Sequence, residues 1–472
     1  MVITMLDDTI TAIATPIGEG GIGVIRISGK RALNVAGEMF RTSSGVPVPG
    51  LPTHTAHYGH AIDPLSDEQI DDGVLTVFRA PRSYTGEDSV EISCHGGIVP
   101  MRRVLEAAMR AGARLAEPGE FTKRAFLSGR IDLAQAEAVL DIIRARTDES
   151  LRVARMQFEG VLSTRIRMLR EDLVEIMAHI EASIDFPDDV EEMESSRMTE
   201  SIRKALMGMA ALLETSNRGK IYREGISAVI TGRPNVGKSS LLNALLRESR
   251  AIVTPIPGTT RDVIEESLSI KGIPVRTIDT AGVRETEDVV ERMGVDRAQK
   301  AVEEADVVIA VLDAEQGFDD DAKDFLSGLL EKKLVVVLNK TDLIREDSIP
   351  ELLAQVRGWL LDRCAEEPGV ITTSASENRG IEALEDAIAG IVLMGSAPKA
   401  EGAMISSLRH RQAIDEAHTS LAQALLTSQF GMPLDLLTVD LRAAVDALGR
   451  ITGETVSEDV IDRIFSEFCI GK

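Results

Sequence analysis

The strongest constraint on the fold of this chain is a full match to the pattern GxxxxGK(S/T) at residues 232–239. The match follows the apolar residues 226–230, which are typical of a strand, and it opens the helical run 240–246. Glycines let such a loop aim its backbone N–H groups at phosphates, and the helix N-terminus adds a favourable field. The pattern predicts a phosphate-binding loop in which Lys238 reaches the β- and γ-phosphates and Ser239 ligates Mg²⁺.

Four further segments follow in the order that a GTP-hydrolysing domain requires. Thr260, in the stretch 258–262, is a candidate switch threonine for Mg²⁺. Residues 279–282 (DTAG) can support the metal shell and sense the γ-phosphate, residues 339–342 (NKTD) end an apolar strand, and residues 374–376 (SAS) follow the last strand. The residues predicted to bind GTP are Asn235, Val236, Gly237, Lys238, Ser239, Ser240, Thr254, Pro255, Ile256, Pro257, Gly258, Thr259, Thr260, Asp279, Thr280, Ala281, Gly282, Asn339, Lys340, Thr341, Asp342, Ser374, Ala375 and Ser376.

The base specificity follows from one carboxylate. Asp342 can accept hydrogen bonds from both N1–H and the 2-amino group of guanine. Adenine lacks that pair of donors and would leave the carboxylate unpaired, which corresponds to a discrimination of roughly 10⁴. The four segments together predict GTP and exclude ATP.

The group that orients the attacking water is not the usual one. Many small GTPases place glutamine directly after DxxG, but here that residue is Val283, which cannot orient water. Hydrolysis must therefore recruit another side chain. The acidic stretch that follows leaves four candidates open, which are Glu285, Glu287, Asp288 and Glu291.

The pattern of apolar residues divides the chain into regions of different fold class. Residues 1–125 mix short strands with helices, whereas residues 126–222 and 394–472 carry helical spacing. Residues 223–393 alternate strands with helices, which predicts a doubly wound α/β domain with a mainly parallel sheet, inserted into a discontinuous helical domain. The strand candidates of this unit are 226–231, 264–270, 273–278, 307–312, 334–339 and 370–374.

The charge balance limits how the chain can contact nucleic acid. Lys and Arg number 52 against 76 Asp and Glu, which gives a formal net charge of −24. A protein that grips nucleic acid by bulk electrostatics is basic, so any RNA contact here must be local or left to a partner.

The cysteines and the apolar runs indicate the compartment. Cys94, Cys364 and Cys469 have no CxxC spacing, and the chain starts without a basic, apolar leader. No apolar stretch reaches the length of a membrane span. These features predict a soluble cytoplasmic protein in a reducing compartment, without membrane contact.

Several motifs together resemble one family. The nucleotide domain lies within a helical domain, Asn235 stands inside the phosphate loop, and the chain ends in the residues CIGK at 469–472. Stretches similar to those of the family also occur at 25–29, 83–88, 118–121, 124–127 and 132–137. On these motifs the chain resembles the MnmE/TrmE family of tRNA-modification GTPases over its whole length. The N-terminal motifs and the tail are more specific than the GTP-binding segments, which many GTPases share.

The resemblance implies a reaction, partners and cofactors. With a flavin-bearing MnmG/GidA-type protein, the family adds an aminomethyl-type group to C5 of the wobble uridine of certain tRNAs, which the partner largely holds. The carbon comes from a reduced folate of the 5-formyl- or methylene-tetrahydrofolate type bound by the N-terminal domain, which also forms a homodimer. GTP hydrolysis uses Mg²⁺ and is promoted by K⁺ when the two GTPase domains approach each other.

The resemblance also implies roles for individual residues. The K⁺ ligands are Asn235, Thr254, Ile256 and Thr259, and the Mg²⁺ ligands are Ser239 and Thr260. Among the four acidic candidates, the water-orienting residue is Glu291. The folate positions are Arg26, Glu87, Arg130, where relatives often carry lysine, and Lys472. Cys469 matches a family cysteine that is assigned to the catalytic residues, with its chemical role left open.

An alternative function is a GTP-dependent assembly or regulatory switch, such as a ribosome-maturation factor, without one-carbon chemistry. The GTP-binding segments do not separate the two functions. The N-terminal motifs and the CIGK tail favour the modification enzyme, because a switch has no need of a folate pocket.

Overall fold

The computed structural model describes residues 8–186, 188, 195–249, 266–278, 299–364, 368–393, 402–430 and 432–472. The chain forms two compact units. The first combines Met1–Leu140, Phe158–Arg203 and Thr419–Lys472, and the second combines Asp141–Gln157 and Lys204–His418.

A seven-stranded sheet occupies the N-terminal part of the first unit. Its strands are β1 Ile10–Ile13, β2 Gly20–Ser28, β3 Phe40–Thr42, β4 Thr55–Ile62, β5 Gln69–Phe78, β6 Ser89–Gly96 and β7 Arg114–Leu115. Their order is β3-β4-β5-β6-β2-β1-β7. Neighbours are antiparallel except β1 and β7, which are parallel.

Among the described residues, two helices lie between strands of this sheet in the sequence, and six more come between β7 and the phosphate-binding loop. They are α1 Ala32–Met39, α2 Ile98–Arg110, α3 Glu120–Leu127, α4 Leu133–Arg144, α5 Asp148–Phe158, α6 Val161–Asp185, α7 Ser195–Glu214 and α8 Ser216–Glu224. The helical spacing of residues 126–222 is therefore confirmed within the described ranges.

Alternation along β2 separates the core of this sheet from a polar face. Ile25 and Ile27 are fully buried and belong to a core that α1 and α2 also line. Arg26 lies between them in the strand, so its side chain leaves from the opposite face. The register of β2 and β6 places Glu91 directly beside Arg26. This pair marks the polar face of the sheet.

A six-stranded sheet forms the core of the second unit. Its strands are β8 Ile226–Thr231, β9 Glu266–Ile270, β10 Ile273–Ile278, β11 Val307–Asp313, β12 Leu334–Asn339 and β13 Gly369–Thr372. Their order is β13-β12-β11-β8-β10-β9, and only the β9–β10 pair is antiparallel. Each strand lies on or within two residues of its predicted position.

Described helices cover both faces of this mainly parallel sheet. They are α9 Lys238–Ser249, α10 Asp320–Ser327, α11 Ile349–Leu361 and α12 Ile381–Leu393. The apolar residues of α9 and α12 pack on one face, and those of α10 and α11 pack on the other. All residues of β11 are buried, because a strand covered on both sides needs no polar face. The predicted doubly wound α/β fold is confirmed.

The C-terminal part of the chain is helical, as predicted. It contains α13 Leu408–Gln429, α14 Leu434–Thr452 and α15 Glu458–Ser466. Gly453 ends α14 in the left-handed conformation with φ 94°, which glycine adopts without steric cost. No helix within the described residues has the length and apolar character needed to cross a bilayer.

Candidate functional site

The phosphate-binding loop connects the end of β8 to the start of α9, as the sequence predicts. Its two glycines are required by close contacts. A Cβ atom on Gly232 would lie 2.4 Å from the carbonyl oxygen of Val311, and one on Gly237 would lie 2.3 Å from Nδ2 of Asn339. Because α9 begins at Lys238, the N–H groups of its first turn have no acceptor within the helix and can bind phosphate.

Polar side chains of the loop are arranged around this helix start. Asn235 has φ 63°, a left-handed conformation that asparagine tolerates better than most residues. Lys238 donates from Nζ to the carbonyl oxygens of Gly232 (2.9 Å) and Arg233 (2.8 Å), and burial lowers its pKa. Nucleotide phosphates would compete with these carbonyls for the ammonium group. The side chain of Ser239 is exposed in the first turn of α9, where a hydroxyl ligand for Mg²⁺ is accessible.

Asn339 joins three loops of the nucleotide site. It is 1% exposed and donates from Nδ2 to the carbonyl oxygen of Val236 at 2.9 Å. Its Oδ1 accepts from Thr373 Oγ1 at 3.1 Å and from the Ala375 N–H at 3.2 Å. One buried amide therefore fixes the phosphate-binding loop relative to the segment predicted to support the base.

The carboxylate of Asp342 can accept hydrogen bonds from a base that offers two donors. Its Oδ2 accepts from Ser376 Oγ at 3.3 Å, whereas its Oδ1 is buried and has no partner within the described residues. The hydroxyl of Ser374, followed by that of Ser376, holds the pKa of Asp342 below its usual value. The carboxylate is thus ionised at neutral pH, and one of its oxygens lacks a hydrogen bond that guanine could supply.

The structure adds Asp313 to the predicted residues of this site. Lys340, with φ 64°, donates from Nζ to Asp313 Oδ2 at 2.7 Å, and the Asp313 side chain is 2% exposed. Thr341 is fixed by its N–H and its hydroxyl, which both donate to the carbonyl oxygen of Thr373. The sequence signal for Asp313 was a single carboxylate at the end of an otherwise apolar strand.

A second missed contact anchors the phosphate-binding loop from outside. Arg233 donates both terminal nitrogens to Asp319, at 3.0 and 3.2 Å, and pairs with Asp321. Asp319 also caps α10 by accepting from the N–H of Ala322. Neither the motif nor the strand pattern points to this pair.

Some predicted residues cannot be placed. Those that lie outside the described residues are Thr254, Pro255, Ile256, Pro257, Gly258, Thr259, Thr260, Asp279, Thr280, Ala281, Gly282 and Glu291. The predicted Mg²⁺ and K⁺ ligands within this set, the water-orienting carboxylate and its alternatives therefore stay predictions.

In the first unit, Arg26 lies close to two aromatic rings. Its guanidinium carbon is 5.6 Å from the ring centre of Tyr84 and 5.5 Å from that of Phe121. Its Nε donates to Glu91 Oε1 at 2.9 Å, and one terminal nitrogen donates to the carbonyl oxygen of Gly471 at 3.3 Å. The structure thus brings the C-terminal tail to a residue predicted to bind folate.

The tail is seated by its backbone. The N–H of Gly119 donates to the carbonyl oxygen of Cys469 (3.4 Å), and that of Phe121 donates to the carbonyl oxygen of Lys472 (3.2 Å). Gly471 has φ 97°, and a Cβ atom there would lie 2.2 Å from the carbonyl oxygen of Ile13. A glycine is therefore required at this position of the tail.

The cysteines differ in accessibility. Cys469 is exposed, whereas Cys94 is buried in the seven-stranded sheet. Burial, assisted by the nearby Asp71, raises the pKa of the Cys94 thiol to about 11, which disfavours the thiolate. Of these two cysteines, only Cys469 is accessible for chemistry.

The other predicted folate positions lie around the same motifs. Glu87 accepts from Ser28 Oγ at 3.1 Å and from a terminal nitrogen of Arg124 at 3.2 Å. Arg130 is exposed, and its charge counteracts the rise that burial causes in the pKa of Tyr84. Lys472 is half-buried. Within this unit, the N-terminal motifs and the tail are therefore adjacent.

Family models and curated relatives match this chain over nearly its whole length. A family model described as the MnmE helical domain matches residues 133–469, and one described as the GTP-binding protein TrmE N-terminus matches residues 9–130. The chain is 47% identical over 467 residues to the tRNA modification GTPase MnmE of Acetivibrio thermocellus, covering 99% of each protein. It is 48% identical to that of Geobacillus kaustophilus, covering 98% of this chain and 99% of the relative.

A solved structure with similarity to part of the chain is Aquifex aeolicus Era bound to GDP and AlF4⁻. It is 26% identical and covers 41% of this chain and 66% of the Era chain, with a TM-score of 0.29.

Proposed function

The chain belongs to the MnmE/TrmE family of tRNA modification GTPases, and we propose that it couples K⁺-activated GTP hydrolysis to one-carbon chemistry on the wobble uridine of tRNA. It is a GTP hydrolase that acts in tRNA modification and uses Mg²⁺. The proposed reaction adds an aminomethyl-type group to C5 of that uridine, with a reduced folate as carbon donor and an MnmG/GidA-type flavoprotein as partner in the cytoplasm.

The contact between the tail and the N-terminal motifs supports this proposal. Arg26 donates to the tail carbonyl of Gly471, and Phe121 donates to that of Lys472. The cations Arg130 and Lys472 suit the carboxylates of a folate, which guanidinium and ammonium groups bind through charge-assisted hydrogen bonds, and Arg26 joins this site through its contact with the tail. Glu87 supplies an acceptor for the amino-type donors of a pterin ring. A switch without one-carbon chemistry would not need this donor set.

The proposed domain organisation follows the sequence boundaries. Residues 1–125 bind folate and form the homodimer, residues 223–393 form the GTPase domain, and residues 126–222 and 394–472 form the helical domain. Support for the dimer comes from exposed apolar side chains near one end of the β2–β6 pair. Ile22 is 68% exposed, and Ile98 at the start of α2 is 61% exposed. A second copy of the chain would cover such residues.

Removing the tail should abolish folate-dependent tRNA modification and leave GTP binding intact. We expect a chain that ends at Phe468 to lose saturable binding of 5-formyltetrahydrofolate and to fail to restore the wobble-uridine group in cells that lack this protein. GTP affinity should stay unchanged, since the tail belongs to the other compact unit. Lys472→Ala should weaken folate binding about tenfold, as expected for the loss of one charge-assisted contact. The measurements are calorimetric folate titration and nucleoside analysis of the tRNA.

The matched control is Lys123→Ala, which removes an ammonium group paired with Asp462 on the surface of the same unit. Intact folate binding in the truncated chain would refute the proposed site. Absence of folate binding in the full-length protein, together with normal wobble uridine in the deletion strain, would favour the assembly switch.

The cation dependence tests the proposed mechanism of hydrolysis. Negative charge develops around the transferred phosphoryl group. Val283 cannot meet this charge, and the predicted switch loop 254–260 contains no arginine. Asn235 offers a neutral oxygen, which suits a large monovalent cation. We expect hydrolysis to be about tenfold or more faster in K⁺ than in Na⁺ at equal ionic strength, as for other groups that meet developing charge. Asn235→Ala should abolish this preference with GTP affinity retained.

The control variant for this measurement is Asn243→Ala, an exposed asparagine of α9. It should keep the ratio of the K⁺ and Na⁺ rates. Equal rates of the unaltered protein in the two cations would remove K⁺ from the mechanism.

Glu291→Ala should lower turnover without weakening GTP binding, because a group that acts on the water contributes to the transition state only.

A further inference from the structure

The charge of Arg26 is already neutralised within the protein. Two of its nitrogens contact Glu91 Oε1, at 2.9 and 2.8 Å, and its side chain is 17% exposed. The Glu91 side chain is 30% exposed and lies opposite Arg26 in the β2–β6 register. A ligand carboxylate that reached Arg26 would have to compete with this internal carboxylate. The bond from Arg26 to Gly471 needs no such exchange, because a carbonyl oxygen accepts without adding charge.

The position of Arg26 is overdetermined. The rings of Tyr84 and Phe121 both lie within cation–π distance of the guanidinium, and two of its nitrogens share Glu91 Oε1 in a forked contact. The nitrogen that remains is directed at the tail carbonyl of Gly471. Arg26 is thus held in an orientation in which it donates to the backbone of the tail.

We propose that Glu91 is a positioning residue, which fixes Arg26 and through it holds the tail, with Cys469 and Lys472, against the N-terminal domain. The inference rests on the proposed one-carbon function of this site. Glu91 itself need not touch the folate. Its effect on folate binding is exerted through the tail, in addition to any contact that Arg26 makes with the ligand.

The start of α3 provides a direct readout of the tail. Because α3 begins at Glu120, the N–H of Phe121 has no acceptor within the helix and donates to the carbonyl oxygen of Lys472. The N–H of Gly119 likewise donates to the carbonyl oxygen of Cys469. When the tail leaves, both amides lose their acceptors, and their hydrogen exchange accelerates.

The experiment compares amide hydrogen exchange of the full-length protein with that of Glu91→Gln, without nucleotide or folate. We expect exchange at residues 117–122 to be about fivefold faster in the variant, the factor expected for loss of a partly buried ion pair. Arg26→Lys, which keeps the charge but loses the fork, should give a similar increase. A chain that ends at Phe468 sets the rate in the absence of the tail. Affinity for 5-formyltetrahydrofolate should fall in parallel with the exchange protection.

The control is Glu68→Gln, which breaks an exposed ion pair with Arg103 in the same unit and should leave exchange at 117–122 unchanged. Unaltered exchange in Glu91→Gln would overturn the proposal. Faster exchange with undiminished folate affinity would also overturn it, because the tail would then move without consequence for the site. If the unaltered protein bound no folate, the proposed function would fail, whereas the exchange rates would still decide whether Glu91 holds the tail.

Discussion

Replacing Asp342 by asparagine should lower the affinity for GTP by about a thousandfold and create binding of xanthosine triphosphate. The reason lies in the buried Oδ1 of Asp342, which has no partner in the described part of the chain. Guanine supplies two donors to this carboxylate, whereas an amide would present one donor against another. Xanthine carries a carbonyl where guanine carries its amino group and can accept from the new amide. Competition of GTP, xanthosine triphosphate and ATP with a fluorescent guanine nucleotide measures all three affinities.

The control for this variant is Asp347→Asn, an exposed carboxylate in the following turn. It removes an equal charge from the adjacent turn of the sequence and should leave GTP affinity within about twofold, as surface substitutions usually do. Unchanged GTP affinity in Asp342→Asn, with no gain for the xanthine nucleotide, would show that this segment does not read the base.

The strand, loop and helix start at residues 226–246 could be predicted from the sequence because this geometry is local. The phosphate-binding loop needs a strand, two glycines and a helix start, all of which are contiguous in the chain. The bond from Asn339 to the carbonyl oxygen of Val236 could not be predicted from the residues alone, because it joins positions 103 residues apart. The pairs Lys340–Asp313 and Arg233–Asp319 were missed for the same reason, since each depends on which strand ends lie side by side.

The site in the first unit was less accessible to sequence reasoning. Resemblance suggested Arg26 and Lys472, which lie far apart in the sequence, but neither segment indicates that Arg26 contacts the tail at Gly471. The partner of Arg26 depends on the register of β2 and β6, and a shift of one residue would have placed Glu91 on the other face. Alternation along β2 predicts that Arg26 leaves the core, but it does not identify the acceptor.

Breaking the buried charge cluster around Arg124 should lower the stability of the first unit more than breaking any exposed ion pair. Arg124 is 3% exposed and donates to Asp8 Oδ1 at 2.7 Å and to Glu120 Oε1 at 2.8 Å. The same guanidinium contacts Glu87. Burial raises the pKa of Glu120, but hydrogen bonds from Arg114, the Glu117 N–H and Arg124 lower it by more, so the net shift is downward.

The sign of this shift fixes the pH range in which the cluster stabilises the first unit. A carboxyl group whose pKa is lowered on folding adds stability above its ordinary pKa, near 4.5 for Glu120. That contribution is lost as the pH falls through the folded-state value. At pH 7 the contribution is complete, so a measurement at neutral pH records its full effect.

Arg124→Met should therefore open the seven-stranded sheet far more often than any exposed substitution. Methionine keeps most of the volume but leaves Glu120 and Asp8 without one of their cations, and loss of one partner from a buried ion pair costs about 3 kcal/mol. Cys94, buried in β6, reports the opening through its reaction with a thiol reagent once Cys364 and Cys469 are replaced by serine. At pH 7 its labelling should accelerate about a hundredfold, since 1.4 kcal/mol corresponds to a factor of ten. Arg41→Met, which breaks an exposed pair with Asp67, should change the rate less than about threefold. Similar rates for the two variants would mean that the Arg124 cluster does not stabilise this sheet.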